Sequence, residues 1–444
     1  MTGAAAYVSR LLRGRLAACG HVDPSSADVS GVVLFADLVG STALTDRIAT
    51  AAPDGAEQLG GMLNRYFSNV VAVIAQHGGD AIRIDGDAVI ALWEQANADD
   101  PAALRAAHAA LALRDGLPRW QIDPAWQLQQ RLTLAAGRLS ATILSCTSGR
   151  RFFVLAGEPL RTVGAIAHDG EPGEIVVDAA LATTLAPHAV LDLATDGAPR
   201  LIASQTAALP VAHPAEPDGD ARMAEHFVPG IVVERSRSGH AEWLAEFRTL
   251  SMVYVRMAAE AQPPDRLRPI LDAIAAAANS LSVEIYDVVA DDKGIIAKIA
   301  CGLPPSSQES NAARALEIAQ RIRAELRPLG IACPIGVATG RAFCGEVGSA
   351  QRREYLLTGP VMNYGARLMQ TATDDVLCDE PTHQAALDRF EFRGPDFVAI
   401  KGRADPLPVY RVAEARAEAP LPVAAAGRCT CRSTRARPSP FGNA

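Results

Sequence analysis

Val32-Val33-Leu34-Phe35-Ala36-Asp37-Leu38-Val39-Gly40-Ser41-Thr42 reads as a strand, a carboxylate and a turn, in that order. The apolar, partly β-branched run at its start predicts a buried strand that ends at Asp37. Gly40-Ser41-Thr42 then predicts a turn and a helix N-terminus with free N–H groups. A carboxylate at the end of a core strand, beside such a turn, suits a metal ion that carries phosphates. About fifty residues on, Gly78-Gly79-Asp80 leads into Ile82-Arg83-Ile84-Asp85-Gly86-Asp87-Ala88-Val89-Ile90-Ala91-Leu92-Trp93. This predicts a hairpin with Asp85-Gly86-Asp87 at its tip. Taken singly, Asp37 reads as a helix cap and Asp87 as a turn residue. If the hairpin lies beside the first strand, the two carboxylates converge as a two-metal phosphoryl-transfer site requires.

Outward from that pair, 444 residues suffice for two or three domains with separate cores. A hydrophobic content of 49% and a charged content of 21% are ordinary for a globular protein. The net charge of −8 argues against a broad nucleic-acid or anionic-membrane surface, which needs a basic face. No apolar run is long enough to predict a membrane span. The arginine-interleaved Met1 to Cys19 reads as an amphipathic helix, not a signal peptide. The eight cysteines are scattered, and Cys429-Thr430-Cys431 has no second pair to complete a zinc site. They predict reduced thiols and a cytoplasmic protein.

Taken in order, residues 1–29 predict a helix (Tyr7 to Ala18) and a loop, and 30–194 a first domain. Helices are expected at Thr42 to Ala51 and Ala56 to Gln76, the latter with Leu59, Leu63, Tyr66, Val70 and Val73 on one face. The order βααββαβ predicts an α+β fold of ferredoxin-like character. Residues 195–245, rich in Pro, Gly, His and Asp, read as a linker ordered around His226-Phe227-Val228-Pro229. A second domain, 246–412, opens on Leu250-Ser251-Met252-Val253-Tyr254-Val255 and weakly repeats the first. Gly137 and Gly157 are 20 apart, and Gly340 and Gly359 are 19 apart; each first glycine ends a strand and each second opens a helix. Such a repeat implies two like domains about a pseudo-twofold axis, an intramolecular pseudo-heterodimer with pockets at its interface. Residues 413–444 turn to Ala, Pro and Arg, a composition that predicts disorder.

FADLVGST and GGDAIRIDGDAVIALW together resemble the metal-binding half of a class III nucleotidyl cyclase domain. The second domain's Arg352-Arg353-Glu354-Tyr355-Leu356-Leu357-Thr358-Gly359-Pro360-Val361-Met362-Asn363-Tyr364-Gly365-Ala366-Arg367-Leu368 is similar to the partner half. With two such domains in one chain, the resemblance is closest to the soluble, bicarbonate-responsive adenylyl cyclase type. It implies two divalent ions, Mg or Mn, held by Asp37, Asp87 and the Leu38 carbonyl. It further implies that Asn363 orients the ribose and that Arg367 stabilises the charged transition state; four residues apart, they share a helix face. Lys401 corresponds to a lysine that reaches the terminal phosphates.

The resemblance places purine recognition at Asp287 and Leu356. An acidic residue suits the donors of guanine better than the acceptor N1 of adenine. The implied reaction is ATP to 3′,5′-cyclic AMP and pyrophosphate, with GTP, or a catalytically weak nucleotide- or anion-sensing module, as alternatives. The second pocket reads as degenerate, because Arg256 stands where Asp37 stands, and Arg161 and Ala165 where Asn363 and Arg367 stand. In the bicarbonate-responsive type this pocket binds the anion through a hairpin base and a helix arginine. Arg83 keeps the first and Gly164 replaces the second, leaving Arg83 and Arg161 as a possible anion pocket. One site per chain and competence as a monomer are the expectations.

Overall fold

The architecture is that of a computed structural model describing residues 3–40, 45, 48, 55–120, 129–193, 197–209, 221–238, 245–259, 262–398 and 406–416. A 3-10 turn (Ala4–Tyr7) precedes helix α1 (Arg10–Cys19), where Ser9 caps the N-terminus by accepting from the Leu12 N–H at 3.3 Å. The decisive stretch lies in β1 (Ser25–Val39), whose central residues Val32, Val33 and Leu34 are buried. It is followed by α2 (Gly55–Gln76), β2 (Asp80–Asp85), β3 (Ala88–Glu94), α3 (Ala102–Trp120), β4 (Gln129–Ser145), β5 (Arg151–Gly157) and α4 (Glu158–Ile166). Then come β6 (Ile175–Val177), α5 (Ala179–Leu185), β7 (Ala189–Asp192) and β8 (Arg200–Ser204). Two short helices, α6 (Ala221–Glu225) and α7 (Gly230–Ser238), connect the halves.

The second half repeats the first. It runs β9 (Glu246–Ala258), α8 (Pro264–Asn279), β10 (Ile285–Asp291), β11 (Gly294–Cys301), α9 (Asn311–Leu326), β12 (Ile335–Gly348), β13 (Arg353–Thr358) and α10 (Pro360–Thr371). It closes with β14 (Val376–Asp379), α11 (Glu380–Ala386), β15 (Phe390–Val398) and β16 (Leu407–Ala415). The two sheets have the same strand order, β2-β3-β1-β4-β6-β8-β7 and β10-β11-β9-β12-β14-β16-β15, with β5 on β4 and β13 on β12.

Register carries the repeat down to single residues. Gly31 faces Gly137 in the first sheet, and Leu250 faces Gly340 in the second. Asp37 and Arg256 each lie six residues farther along, so they are structural counterparts, as the repeat predicts. In each half a long strand pair reaches over the first helix of the other. Phe343, Val347 and Leu356 pack in one core with Leu59, Leu63 and Phe67 of α2. Leu144, Phe152 and Val154 pack in another with Leu267, Leu271 and Ile274 of α8. Removing such side chains from water supplies the main driving force for joining the halves.

Several boundaries differ from the expectations. β1 begins at Ser25, and the first sheet extends beyond residue 194 through β8, whose Arg200 pairs with Val176. Short strands among turn residues leave no periodicity to read. The second sheet reaches Ala415. The expected helix Tyr7 to Ala18 is divided by Val8 and Ser9 into the 3-10 turn and α1. Val228 is buried between α6 and α7, and the His226 carbonyl accepts from the Arg151 N–H at 2.8 Å. Except for Thr45 and Ile48, the helix expected at Thr42 to Ala51 lies outside the described residues, as does the tail with Cys429 and Cys431.

Candidate active site

Asp37 and Asp87 are brought together by two local features. Asp85 pairs with Ala88 across a two-residue turn, and Gly86 takes φ +65° in its first central position. Open space surrounds Gly86, so the backbone conformation selects glycine there. Ala88 in turn pairs with Asp37 on β1. The Leu38 N–H donates to the Asp87 carbonyl at 3.0 Å, tying the hairpin tip to the strand end. Burial, and next the nearby Asp87 carboxylate, push the Asp37 carboxyl up to about 7, with Arg131 opposing. Arg131 is its cross-strand neighbour.

Two hard oxygen donors held in mutual repulsion fit a divalent cation, which relieves the repulsion. Among the described residues no three His, Cys, Asp or Glu side chains form a metal cage. A cation at Asp37 and Asp87 therefore takes the rest of its oxygens from main chain, water or substrate phosphates. Mg²⁺ sites with one or two carboxylates have that composition.

The facing wall comes from the other half. Asp37 and Asp87 line a cleft of about 230 Å³ whose opposite side includes Tyr254, Met362, Asn363 and Ala366. Asn363 is exposed on α10. Arg367 sits one turn along the same helix, donating to Gln370 Oε1 at 3.1 Å. Leu357 of β13 lines the cleft, whereas Leu356 is 2% exposed and packs with the α2 core. Alternation along a strand sends neighbours to opposite faces, so the residue singled out for base recognition faces away from the cleft. Lys401 lies outside the described residues.

Two ion pairs cross the cleft floor. The Arg83 guanidinium pairs with the Asp287 carboxylate and also donates to the Val288 carbonyl at 3.2 Å. Lys298 Nζ donates to both oxygens of Asp85, at 2.7 and 2.6 Å. Burial works to raise the Asp85 carboxyl, but Lys298 and then Arg83 outweigh it and hold it below the usual range. Sequence reading missed Lys298 because its signal, a lone lysine in an apolar strand, acquires meaning only opposite Asp85.

Across the cleft from Asp37 and Asp87, the second half contributes charged groups of its own. The β10–β11 hairpin is longer than β2–β3, and its Asp291, Asp292 and Lys293 enter the cleft beside Gly164 of α4. A Cβ at Gly164 would lie 2.8 Å from the Asp292 Cβ. Lys293 Nζ lies 3.4 Å from Asp292 and 3.7 Å from Asp291. Arg161 pairs with Glu158 and lines a separate cavity. Arg83 lines the cleft and Arg161 the separate cavity, and each has a carboxylate partner.

Comparison with known proteins agrees with this layout. Residues 24–195 match the family model for the adenylate and guanylate cyclase catalytic domain. Adenylate cyclase type 10 of Rattus norvegicus is 24% identical over 439 residues, covering 87% of this chain and 27% of the relative. The Homo sapiens protein of the same name is 23% identical over 438 residues, covering 88% and 27%. The chain thus spans about a quarter of the length of these relatives. Among solved structures, a class III adenylyl cyclase-like ATP-binding protein from Pseudomonas aeruginosa superposes with a TM-score of 0.56 at 11% identity, covering 81% of this chain and 85% of that one. The expected resemblance to class III cyclases and the expected α+β fold are borne out. No helix among the described residues is long and apolar enough to cross a membrane.

Proposed function

We propose that this chain, built on two class III nucleotidyl cyclase-like domains, cyclises a purine nucleoside triphosphate, ATP in preference to GTP. The observation that carries the reading is the meeting of Asp37 and Asp87 with Asn363 of the other half around one cleft. In the reaction the ribose 3′-oxygen attacks the α-phosphorus in line, the bond to the bridging oxygen breaks and pyrophosphate leaves. Divalent ions, Mg²⁺ or Mn²⁺, when bound would activate the attacking oxygen and hold the leaving phosphates. Asp37, Asp87 and the Leu38 carbonyl are the residues that would hold them.

Asn363 orients the ribose, and Arg367 exchanges Gln370 for the α-phosphate as charge develops there. Lys401 is assigned to the terminal phosphates. Both halves of the site belong to one chain, so catalysis needs no second copy, and specific activity should not fall on dilution. Cys146, Cys301, Cys333, Cys344 and Cys378 are free and buried, which fits a reducing, cytoplasmic setting.

A second reading, GTP or a weakly active nucleotide sensor, is favoured by the Arg83–Asp287 pair and the burial of Leu356. The names of the sequence relatives favour ATP. The deciding experiment offers ATP and GTP separately to the purified protein with Mg²⁺ or Mn²⁺. Cyclic AMP that disappears in Asp37→Ala and Arg367→Ala is the expected result. Cyclic GMP alone would assign guanine, and nucleotide binding without product would assign the sensor.

A further inference from the structure

Arg83 and Asp287 are the same position in the two halves. Arg83 faces Ile90, which faces Phe35 on the central strand. Asp287 faces Lys298, which faces Tyr254 on the equivalent strand. Residues that touch their own counterparts lie on the pseudo-twofold axis, and Arg83 touches Asp287. One step off the axis, Asp85 is the counterpart of Val289, and Lys298 of Ile90. The axis therefore relates the ion pair Asp85–Lys298 to the apolar residues Val289 and Ile90, which line the same cleft.

Each alternative pairing fails electrostatically. Two first halves about a true twofold would set Arg83 against Arg83 and Asp85 against Ile90. Two second halves would set Asp287 against Asp287 and Lys298 against Val289. Lys298 has a side chain only 8% exposed, and those of Arg83 and Asp287 are 18% and 26% exposed. Partly desolvated like charges repel strongly, and Lys298 set against valine loses the Asp85 carboxylate to which it donates two hydrogen bonds. Only unlike halves satisfy all four groups.

We infer that Arg83, Asp85, Asp287 and Lys298 form a pairing code at the pseudo-twofold axis that joins each half to an unlike half and rejects a like one. The surface buried here thus fits one partner, the complementary half, whether from the same chain or another. Charge patterning that penalises wrong partners is a general route to specificity. The inference is independent of the catalytic reading, because it concerns which halves associate and not what they do.

The test uses full-length chains and reads mass by light scattering together with thermal unfolding. Arg83→Asp sets two carboxylates against each other at the axis, and Asp287→Arg sets two guanidinium groups there. Each single variant should therefore melt several degrees below the parent. Arg83→Asp with Asp287→Arg in one chain should restore a monomer and its melting temperature. Mixing the two single variants during refolding should yield a one-to-one complex of twice the chain mass, because each half then finds an opposite charge in the other chain. Parent chains mixed in the same way should remain monomeric. The code is overturned if the single variants keep the parental melting temperature. It is also overturned if the double variant fails to recover, or if the mixture behaves as its two components apart.

Discussion

The Leu38 N–H donates to the carbonyl of Asp87 at 3.0 Å, which makes the first strand's end and the hairpin tip one unit. Burial of Asp37, and then the nearby Asp87 carboxylate on that unit, raise the affinity of Asp37 for protons. A site strained in this way is poised for a cation, and its strain can be measured.

Asp37→Asn removes the charge while keeping the shape. Turnover should fall by about 100-fold or more, the scale seen when a preorganised charged group is lost from an active site. Without metal the variant should melt higher than the parent at pH 8, since a disfavoured buried carboxylate has gone. A variant that keeps its turnover would remove Asp37 from the chemistry.

The pH dependence of metal-free stability follows with a definite sign. The Asp37 pKa is raised from 3.8 to about 7 on folding, so the folded state holds the proton more tightly. The stabilisation this provides is complete below 3.8 and is lost as pH rises to about 7. Stability gained on adding Mn²⁺ should show the opposite trend, small at pH 5 and large at pH 8, because ligation requires the carboxylate. Thermal scans across that range, with and without Mn²⁺, check both slopes.

Neighbouring leucines of β13 should separate by role. Leu356→Ala opens a cavity in the shared core and should cost about 2–4 kcal/mol, with the ATP-to-GTP ratio unchanged. Leu357→Thr places a hydroxyl on the cleft wall and should alter that ratio, with a stability cost of its own because Leu357 is also buried. Denaturant unfolding and product analysis distinguish the two. The reverse pattern would mean that Leu356 reads the base.

Gly164→Ala should force the Asp292 hairpin away from α4, because the added carbon would meet the Asp292 Cβ at 2.8 Å. A loss of about 1–3 kcal/mol is expected, as for other overpacked contacts. Proteolysis near Lys293 should accelerate as the hairpin lifts. Unchanged cleavage would mean that this contact does not hold the hairpin in place.

Arg352→Met tests how the second half grips the metal-bearing hairpin. The Arg352 side chain, 7% exposed, donates to the carbonyls of Ala81, Ile82 and Tyr7 and pairs with Glu354. Its loss removes the ion-pair partner of Glu354 and should cost about 3–5 kcal/mol. Melting temperature checks the magnitude. A shift near zero would show that the hairpin holds its place by packing alone.

Elements whose cause is local could be read from the residues themselves. The apolar run before Asp37, the Gly86 turn beside Asp87 and the four-residue spacing of Asn363 and Arg367 each depend on close neighbours. The repeat was legible through glycines at matching positions. Gly157 and Gly359 cap helices as expected. Gly137 and Gly340, expected to end strands, lie within β4 and β12 because those strands run on to pack against the other half. What those elements meet is a property of the folded molecule. Asp85 and Lys298 are 213 positions apart, and Arg83 and Asp287 are 204 apart, so their pairing depends on how two sheets dock. The same docking turned Leu356 into the core, set Asp292 against Gly164 and gave a lone lysine its carboxylate. Strand alternation and turn chemistry act over a few residues, whereas charge complementarity across the axis exists only once both halves are folded and joined.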